Sequence, residues 1–282
     1  MNANPLAALM QDRCLRTAAA LKGSWSENAG ANRKRVMAQH QVSDLWKDES
    51  YKLGVLIAAG PSLKESLAEI KALDRSKCEI VAVDMAYAFL VANGVIPDYV
   101  ICADANPVIQ RTLTADLPAG AKAPILLLNV AVDPATGADW DGDVYWFGMM
   151  SNFYDGDRKV WMQQDHERRS GCSSFLVPGG NVGSLGLSFL LGVRSSPKVV
   201  LYGHDFCWSA DGDFYAGGLQ KDLAAERITS ERQAGTVFEV DDAQRQCRVL
   251  TNASLMDFAG WYRDRMREYP GVVENRTPVT IL

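Results

Sequence analysis

Residues 52–106 decide the fold: they begin Lys52-Leu-Gly-Val-Leu-Ile-Ala-Ala-Gly-Pro-Ser62 and end Asp98-Tyr-Val-Ile-Cys-Ala-Asp-Ala-Asn106. The first run is apolar and has the length of a strand, and apolar residues then recur at helical spacing up to residue 70. The second run contains another apolar strand. A strand, a glycine turn and a helix in this order are typical of α/β proteins that bind phosphate groups.

The turn between the first strand and its helix is the first candidate site. Gly60 lets the backbone approach a ligand closely, since glycine carries no side chain. Pro61 suits the first helical position, where its missing N–H group costs nothing. Ser62 places a hydroxyl group in the first turn of the helix. We therefore expect Gly60, Pro61 and Ser62 to lie against the phosphate of a nucleotide.

Two carboxylates follow the next two strands. Asp84 comes directly after one apolar run, and Asp104 comes directly after the other. Because ligands bind at the carboxyl ends of the strands in open parallel sheets, we expect both carboxylates near a ligand. Asp104 is a candidate for holding a divalent metal or a ribose hydroxyl, and structural capping of a turn is the alternative.

The composition is that of an ordinary globular protein, with 48% of the 282 residues hydrophobic and 22% charged. The net charge of −5 excludes a global basic field that would attract nucleic acid or acidic lipid. The six cysteines form no C-x-x-C pair, which favours reduced, mostly buried thiols in a cytoplasmic protein. No apolar stretch has the length of a membrane span, and the N-terminus lacks a basic-then-apolar signal.

Residues 1–50 are predicted to form a helical, peripheral segment before a single domain over residues 51–282. The second helix of this segment is expected over residues 32–45. Its basic run Arg33-Lys-Arg35 is either a solvated helix face or a contact for an anionic substrate. The sequence contains no internal repeat and no low-complexity linker, so a second independent domain is not expected.

Further apolar and periodic runs predict the remaining elements, which are strands at 124–130, 144–147 and 198–203, a hairpin at 236–250, a helix at 255–269 and a strand at 271–277. Residues 148–175 mix aromatic, methionine and charged side chains, and form either a substrate lid or an excursion that covers a sheet edge. The predicted fold class is α/β: a single Rossmann-like, doubly wound, mostly parallel sheet with a helical N-terminal segment and a small C-terminal hairpin–helix extension.

A helix at 181–191 is apolar nearly all round and is therefore expected to be buried. Gly179, Gly180 and Asn181 stand at its start, where we expect them to contact an anion or a nucleotide. His204 and Asp205 follow the next strand, again at a carboxyl end. Asp205 either acts on the substrate or caps the following turn, and His204 is either catalytic or an ordinary buried histidine.

Several familiar motifs are missing from the chain. It has no G-x-x-x-x-G-K-[ST] loop, no G-x-G-x-x-G after the first strand, no H-E-x-x-H and no G-x-S-x-G. Its three histidines exclude a histidine-rich metal site. The residues therefore indicate a nucleotide-linked transferase outside the common kinase and dehydrogenase types.

Four blocks resemble one group of enzymes. They are Ala59-Gly-Pro-Ser-Leu-Lys64, Gly94-Val-Ile-Pro-Asp-Tyr-Val-Ile-Cys-Ala-Asp104, residues 180–191 followed by Leu201-Tyr-Gly-His-Asp-Phe206, and residues 251–268 with Asn275-Arg-Thr277. The group joins the motility accessory factor glycosyltransferases, the 6-hydroxymethylpterin diphosphokinase-like proteins and, more distantly, the single-domain bacterial CMP-sialic acid transferases. The resemblance covers roughly residues 50–280 in the right order. It implies a bound nucleotide with Asn106 and Asp84 beside the base or sugar and Asp205 at the reacting end.

The chain also departs from this group. Ala59 stands where the sialyltransferase-like members carry an asparagine, and residues 246–251 lack their catalytic histidine. The metal and substrate block of the diphosphokinase members, which is rich in histidine and contains Gly-Asp-Asn, is absent as well. Neither a general base nor a metal site can therefore be carried over directly.

The function predicted from the sequence is a glycosyltransferase with a CMP-type sugar donor, in which Asp205 or His204 acts as the base. One alternative is ATP-dependent, 6-hydroxymethylpterin diphosphokinase-like pyrophosphoryl transfer, for which the resemblance implies Mg²⁺. A second alternative is a nucleotide-binding protein without catalysis. The acceptor (a glycan, a protein or a small molecule), the sugar, the cofactor and the oligomeric state stay open, and a homo-oligomer is compatible with the sequence.

Overall fold

The structure is a computed structural model, and it describes residues 23–47, 52–155, 158–208, 214–216, 229–230, 233, 235–242 and 248–282. The strands are β1 (His40–Gln41), β2 (Leu53–Ile57), β3 (Cys78–Val83), β4 (Tyr99–Cys102), β5 (Ile125–Asn129), β6 (Val144–Met149), β7 (Asn152–Asp155), β8 (Arg158–Trp161), β9 (Phe175–Leu176), β10 (Val199–Tyr202), β11 (Val237–Asp241), β12 (Arg248–Asn252) and β13 (Val273–Asn275).

Among the described residues, the α-helices include α1 (23–31), α2 (Arg33–Ala38), α3 (Leu63–Lys71), α4 (Asp84–Ala92), α5 (Met162–Ser170), α6 (Val182–Ser188) and α7 (Ala253–Glu268). Short 3₁₀ helices cover Val42–Leu45 and Pro107–Leu113, and a π-helical turn at Phe189–Val193 extends α6. None of the helices in the described ranges is both long and apolar enough to cross a membrane.

Within the described residues, nine strands form one sheet in the order β1-β6-β5-β4-β3-β2-β10-β13, with β9 paired to β6. Every neighbouring pair in this sheet is parallel. Two antiparallel hairpins, β7–β8 and β11–β12, lie outside it. The predicted α/β class with a mostly parallel sheet and a C-terminal hairpin and helix is therefore confirmed.

Both faces of the sheet are buried, as a parallel sheet with crossover helices requires. On β5, Leu126 and Leu128 belong to one apolar cluster, whereas Leu127 between them belongs to the other. Because successive side chains of a strand point to opposite faces, the two clusters lie on opposite sides of the sheet. This arrangement explains why the central strands are continuous apolar runs in the sequence rather than alternating ones.

The N-terminal segment is helical over 23–31 and 33–38, and residues 1–22 lie outside the described residues. The helix predicted over residues 32–45 is wrong in its second half. After Ala38 the chain turns into β1, which pairs with β6 at the sheet edge, and then into a 3₁₀ helix. The division at residue 50 stays a prediction, although β1 hydrogen-bonds with the sheet of the larger part.

Four of the six cysteines lie among the described residues, where their predicted burial can be compared with the structure. Cys78, Cys102 and Cys172 are free and buried, and Cys207 is buried as well. The other two, Cys14 and Cys247, lie outside the described residues. Burial of the thiols agrees with the expectation drawn from their spacing.

Candidate functional site

The strand order creates a crevice beside β2. The chain passes from β2 through β3, β4, β5 and β6 on one side, and then returns to place β10 on the other side of β2. Ligands of open α/β sheets bind at such a reversal, outside the carboxyl ends of the strands. A cavity of about 680 Å³ lies here, between the loops that follow β2, β3, β4 and β10 and the first turns of α6 and α7. Its volume is that of an ordinary small-molecule site.

Most of the residues predicted for the site meet in the wall of this cavity, and they are Gly60, Asp84, Asp104, Gly180, Asn181, His204 and Asp205. The predicted residues that do not line it are Pro61, Ser62, Asn106 and Gly179. Much of the remaining wall is aromatic or apolar, including Trp25, Phe214, Tyr215 and Phe258. The topology alone therefore brings together side chains that are far apart in the sequence.

The carboxylate of Asp205 reaches across the crevice to the helix after β2. Its Oδ2 atom accepts a hydrogen bond of 2.8 Å from the backbone N–H of Ser62, at the N-terminus of α3. Burial raises the pKa of Asp205 to about 7, and the Ser62 N–H opposes this shift. A Cβ atom on Gly60 would lie 2.0 Å from the Oδ1 atom of Asp205. The Asp205 carboxylate therefore leaves no room for a side chain at residue 60.

The N–H groups of the same turn are already engaged. Gly60 donates to the carbonyl of Gly203 at 2.9 Å, and Leu63 donates to the carbonyl of Gly60 at 3.0 Å. Ser62 donates to Asp205, and Pro61 has no N–H group. A phosphate at this turn would have to displace the Asp205 carboxylate from Ser62. The contact of residues 60–62 with a phosphate stays a prediction, and it requires that the Asp205 carboxylate leaves the Ser62 N–H.

His204 is fully enclosed at the end of β10, with 2% of its surface exposed. Its Nδ1 atom lies 3.0 Å from the carbonyl oxygen of Tyr202. Because a carbonyl oxygen only accepts, we assign the proton to Nδ1, which leaves a lone pair on Nε2. Nε2 has no hydrogen-bond partner among the described residues. Burial lowers the pKa of His204 to about 4, so the imidazole is neutral at physiological pH.

Asp84 begins α4 and is almost completely buried. Its Oδ1 atom accepts a hydrogen bond of 2.7 Å from the Met85 N–H. The Oδ2 atom has no hydrogen-bond partner in the described part of the chain, although the Cys102 thiol lies close enough to lower the pKa slightly. Desolvation dominates and raises the pKa of Asp84 to about 7, with a small further rise from the charge of Asp104.

Asp104 and Asn106 are exposed and take part in local turns after β4. Asp104 accepts from the Asn106 N–H at 2.9 Å, and Asn106 in turn accepts from the Val108 N–H at 3.0 Å as the cap of a 3₁₀ helix. Capping therefore accounts for one oxygen of each side chain. Asp104 also lines the cavity, so its second oxygen is in a position to meet a ligand.

The glycines before α6 face aromatic side chains of α7. A Cβ atom on Gly179 would lie 2.2 Å from the ring of Trp261, and one on Gly180 would lie 2.5 Å from the ring of Phe258. Gly180 also has a φ of 95°, which favours glycine. Asn181 caps α6 by accepting from the Ser184 N–H at 2.8 Å. Packing explains these residues without a ligand, and their contact with an anion stays a prediction.

The charge of the cavity wall is one-sided. Among the described wall residues the ionisable acids are Asp84, Asp104, Asp205 and Asp257, and there is no lysine or arginine. Burial also raises the pKa of Asp257. A bound anion therefore gains no direct partner of opposite charge from this part of the wall. Composition hides this imbalance, because the chain carries 29 basic residues overall.

The described residues contain no group of three or more histidine, cysteine, aspartate or glutamate side chains that could hold a metal ion. Asp84 and Asp104 interact electrostatically, and one oxygen of Asp84 lacks a hydrogen-bond partner in the described structure. Mg²⁺ is typically bound by one or two carboxylates together with water and substrate phosphates. These two carboxyl groups therefore fit a magnesium ion that takes its other ligands from water and a phosphate, but not a closed metal site.

Tyr262 lies beside this region, and the sequence interpretation placed it only on the helix predicted over residues 255–269. Tyr262 on α7 is fully buried, and its hydroxyl group comes within reach of Gly183 on α6. Helical periodicity places Tyr262 on a buried face, as it does for any core residue. Only the packing of α7 across the start of α6 brings the two residues together, and no local signal reports that packing.

Fold and site together define a doubly wound α/β protein with a cavity at the reversal of its strand order. The family model described as "6-hydroxymethylpterin diphosphokinase MptE-like" matches residues 27–211, and the chain belongs to this family. The solved structure of the MAf glycosyltransferase from Magnetospirillum magneticum AMB-1 has a similar fold, with a TM-score of 0.58 and 16% identity. These findings confirm the resemblance to both groups.

The structural match is unequal in length. It covers 91% of this chain but 37% of the MAf glycosyltransferase, so the chain spans well under half of that protein. At this low identity the likeness concerns the fold alone. A search of the curated proteins gave no match.

Proposed function

We propose that this protein is a nucleotide-dependent transferase that moves a glycosyl group from a CMP-type sugar donor to an acceptor hydroxyl group. The observation that carries the proposal is the cavity at the strand reversal, which gathers seven of the predicted site residues. The family and the glycosyltransferase with a similar fold support a transferase role. We also propose a cytoplasmic location, which the buried thiols support.

Each of the two candidate bases keeps one acceptor atom without a hydrogen-bond partner among the described residues. The Oδ2 atom of Asp205 is engaged with the Ser62 N–H, whereas its Oδ1 atom has no partner in this part of the chain. His204 presents an unpartnered Nε2 lone pair and lines the cavity. A general base must lie within hydrogen-bond reach of the proton that it takes. We therefore propose Asp205 or His204 as the base, and the pKa of Asp205, about 7, suits this role at neutral pH better than the pKa of His204, about 4.

Binding of the donor needs a source of positive charge. The described wall offers four carboxyl groups and no cationic side chain, so the phosphate of a nucleotide would be repelled unless a cation accompanies it. We propose that Mg²⁺ enters with the nucleotide and is held by Asp84 and Asp104. Mg²⁺ in this place would neutralise charge on the phosphate when the donor is cleaved.

The same charge pattern supports a second candidate, pyrophosphoryl transfer from ATP to a small heterocycle. The family description names this activity. A magnesium–triphosphate complex suits a wall with several carboxyl groups, and the aromatic side chains of the cavity suit a flat ring. The third candidate is a protein that binds nucleotide without turnover.

A thermal-shift experiment separates the three candidates. CMP, CMP-N-acetylneuraminate and ATP are each tested with and without Mg²⁺, and we expect the CMP ligands with Mg²⁺ to raise Tm by roughly 5 °C at saturation. Stabilisation by ATP with Mg²⁺ alone would favour pyrophosphoryl transfer. Stabilisation without release of product across a panel of acceptors would favour the non-catalytic candidate. No stabilisation by any of these nucleotides would refute the proposal.

A pair of variants tests the magnesium assignment. We expect Asp104→Asn to abolish the part of the shift that depends on Mg²⁺, because an amide is a far weaker ligand for this ion than a carboxylate. Asp139→Asn removes the same charge from an exposed position away from the cavity wall and should leave the shift unchanged. Equal behaviour of the two variants would show that Asp104 does not hold the ion.

A further inference from the structure

One end of the cavity, at the carboxyl end of β6, contains none of the residues predicted for the site. Its wall there includes Trp25 of α1, Met149 and Ser151 at the end of β6, and Met162 at the start of α5. None of these four side chains carries a charge, whereas aspartates line the wall after β3, β4 and β10. The two parts of the cavity therefore suit different parts of a ligand.

A hydrogen bond to α5 places Trp25 at this end. The Ser26 hydroxyl donates to Oδ2 of Asp165 at 2.6 Å, so α1 is fixed beside the first turn of α5. Trp25 directly precedes Ser26, and Met162 lies one turn before Asp165. The contact between the two helices therefore brings Trp25 close to Met162, although the two residues are far apart in the sequence.

The two residues at the end of β6 are tied to the same helix. The Met162 N–H donates to the Ser151 carbonyl at 2.9 Å, and the Ser151 hydroxyl lies 3.6 Å from the Met162 sulfur. The Met149 N–H donates to Nδ1 of His166 at 3.3 Å. These contacts gather two thioethers and one indole at a single end of the cavity.

Trp25 differs from the tryptophans of the core. It is partly exposed and, within the described residues, belongs to neither of the two apolar clusters of the sheet. Trp146 lies inside one of these clusters, and Trp140 packs against it. Trp25 also lies just before the range 27–211 that the family model matches. A large aromatic side chain that lines a cavity without belonging to the core is available to a ligand.

The chemistry of this end selects a flat aromatic ring. The indole of Trp25 offers a flat face, and the sulfur atoms of Met149 and Met162 are polarizable and interact favourably with aromatic rings. Stacking on an aromatic side chain is possible for every nucleobase, because every base has a π face. A sugar would bring several hydroxyl groups, and Ser151 is the one hydroxyl-bearing side chain among these four.

The strand order gives this end a defined place relative to the acids. The strands run β6-β5-β4-β3-β2-β10 across the sheet. Neighbouring strands lie roughly 4.8 Å apart, so the end of β6 is roughly 10–14 Å from the ends of β4 and β3. Asp104 and Asp84 stand at those two ends, and Asp205 follows β10 beyond them. A nucleotide with its base at β6 therefore directs its phosphates towards the two carboxylates proposed to hold Mg²⁺.

We propose that Trp25, with Met149 and Met162, forms the subsite for the flat heteroaromatic ring of the substrate, which stacks on the indole of Trp25. The ring is the base of the nucleotide donor or, in the second candidate function, the heterocycle that receives the pyrophosphoryl group. The inference rests on the proposed function and deepens it, because it gives the ligand a direction along the sheet edge, with the ring at β6 and the reacting group at β10.

Fluorine NMR of the full chain labelled with 5-fluorotryptophan tests the subsite. The chain has seven tryptophans, and the Trp25 resonance is the one that disappears in Trp25→Phe. The probes are cytidine, adenosine and 6-hydroxymethylpterin, which carry no phosphate and so need neither Mg²⁺ nor a cationic wall. We expect cytidine to shift the Trp25 resonance to a limiting value, and D-ribose, which has no aromatic ring, to leave it in place. A shift by adenosine alone or by the pterin alone would support the subsite and identify a different ring.

Two leucine variants locate the effect. Trp25→Leu should weaken the binding of cytidine about tenfold in a saturation-transfer NMR titration, which is the loss of one stacking contact. Trp46→Leu removes an exposed tryptophan outside the cavity wall and should leave the affinity unchanged. Both variants should keep the Tm of the unmodified protein, because neither tryptophan belongs to an apolar cluster of the described structure.

The outcomes separate this subsite from the proposed function. If none of the three ring compounds gives a saturable shift of the Trp25 resonance, or if D-ribose shifts it as much as they do, the subsite is overturned even where nucleotides with Mg²⁺ stabilise the protein. Equal affinities of Trp25→Leu and Trp46→Leu for cytidine would overturn it as well. Ring binding at Trp25 in a protein that transfers neither a glycosyl nor a pyrophosphoryl group would support the subsite and refute the transferase.

Discussion

The clearest test of the cavity electrostatics is the substitution Asp84→Asn, followed through the pH dependence of stability. The pKa of Asp84 is about 7 in the folded protein against an ordinary value of 3.8, because the carboxyl group is buried. The unfolded chain therefore ionises at lower pH than the folded protein. The contribution of Asp84 to the free energy of unfolding therefore falls as the pH rises from about 4 to about 7 and is constant above that range.

The size of the effect follows from the same two values. At pH 8 the folded protein holds an ionised, desolvated carboxylate, which costs roughly 4 kcal/mol relative to the unfolded chain. At pH 5 the folded group is still protonated and the cost is below about 2 kcal/mol. The substituted amide keeps an acceptor for the Met85 N–H and does not titrate. We expect the difference in free energy of unfolding between Asp84→Asn and the unmodified protein to rise by roughly 2–3 kcal/mol from pH 5 to pH 8, in favour of Asp84→Asn.

Urea unfolding of both proteins at the two pH values measures this gain. Any constant packing cost of the amide cancels, because only the change of the difference with pH is used. Asp139→Asn controls for the loss of one negative charge, since Asp139 is exposed. A difference between Asp84→Asn and the unmodified protein that is the same at pH 5 and pH 8 would refute the argument that this carboxyl group is desolvated.

Two further predictions concern the architecture around the site. Gly60→Ala would place a methyl group 2.0 Å from Asp205 Oδ1 and should lower the free energy of unfolding by about 1–3 kcal/mol. Gly260→Ala meets no atom within 4 Å and should raise it by up to about 1 kcal/mol. Urea titrations in which Gly60→Ala is the more stable of the two variants would contradict this prediction. Arg194→Met leaves the Glu79 carboxylate buried without its ion pair and should cost about 3–5 kcal/mol, most of which Glu79→Leu in the same chain should restore. A double variant no more stable than Arg194→Met would show that the charge is not the cause.

The fold could be predicted from the sequence because its central strands are apolar on both faces. All six residues of β3 are buried, and the helices between the strands begin and end close to where periodicity places them. The N-terminal segment was predicted less well. Its edge strand β1 has only two residues, His40 and Gln41, and depends on pairing with β6 more than 100 positions later. No local pattern encodes such a pairing.

The site could be predicted in its location but not in its internal contacts. Parallel strands bring their carboxyl ends to one edge, so the position of Asp84, Asp104 and Asp205 follows from chain direction alone. The hydrogen bond from Ser62 to Asp205 joins residues 143 positions apart, and it exists because β10 lies next to β2. The sequence does not state that order, and the packing of Tyr262 against the start of α6 is a second long-range contact of the same kind.

A glycine at a strand-to-helix turn has two explanations, and Gly60 shows how a structure separates them. Either a ligand or the protein itself can approach the bare backbone, and here the Gly203 carbonyl and the Asp205 carboxylate already do so. A phosphate must therefore compete with a carboxylate for the Ser62 N–H. Because both are anions, the surrounding charge decides that competition. The described wall contains four aspartates and no lysine or arginine. We therefore expect nucleotides to bind weakly without Mg²⁺, however favourable the turn is.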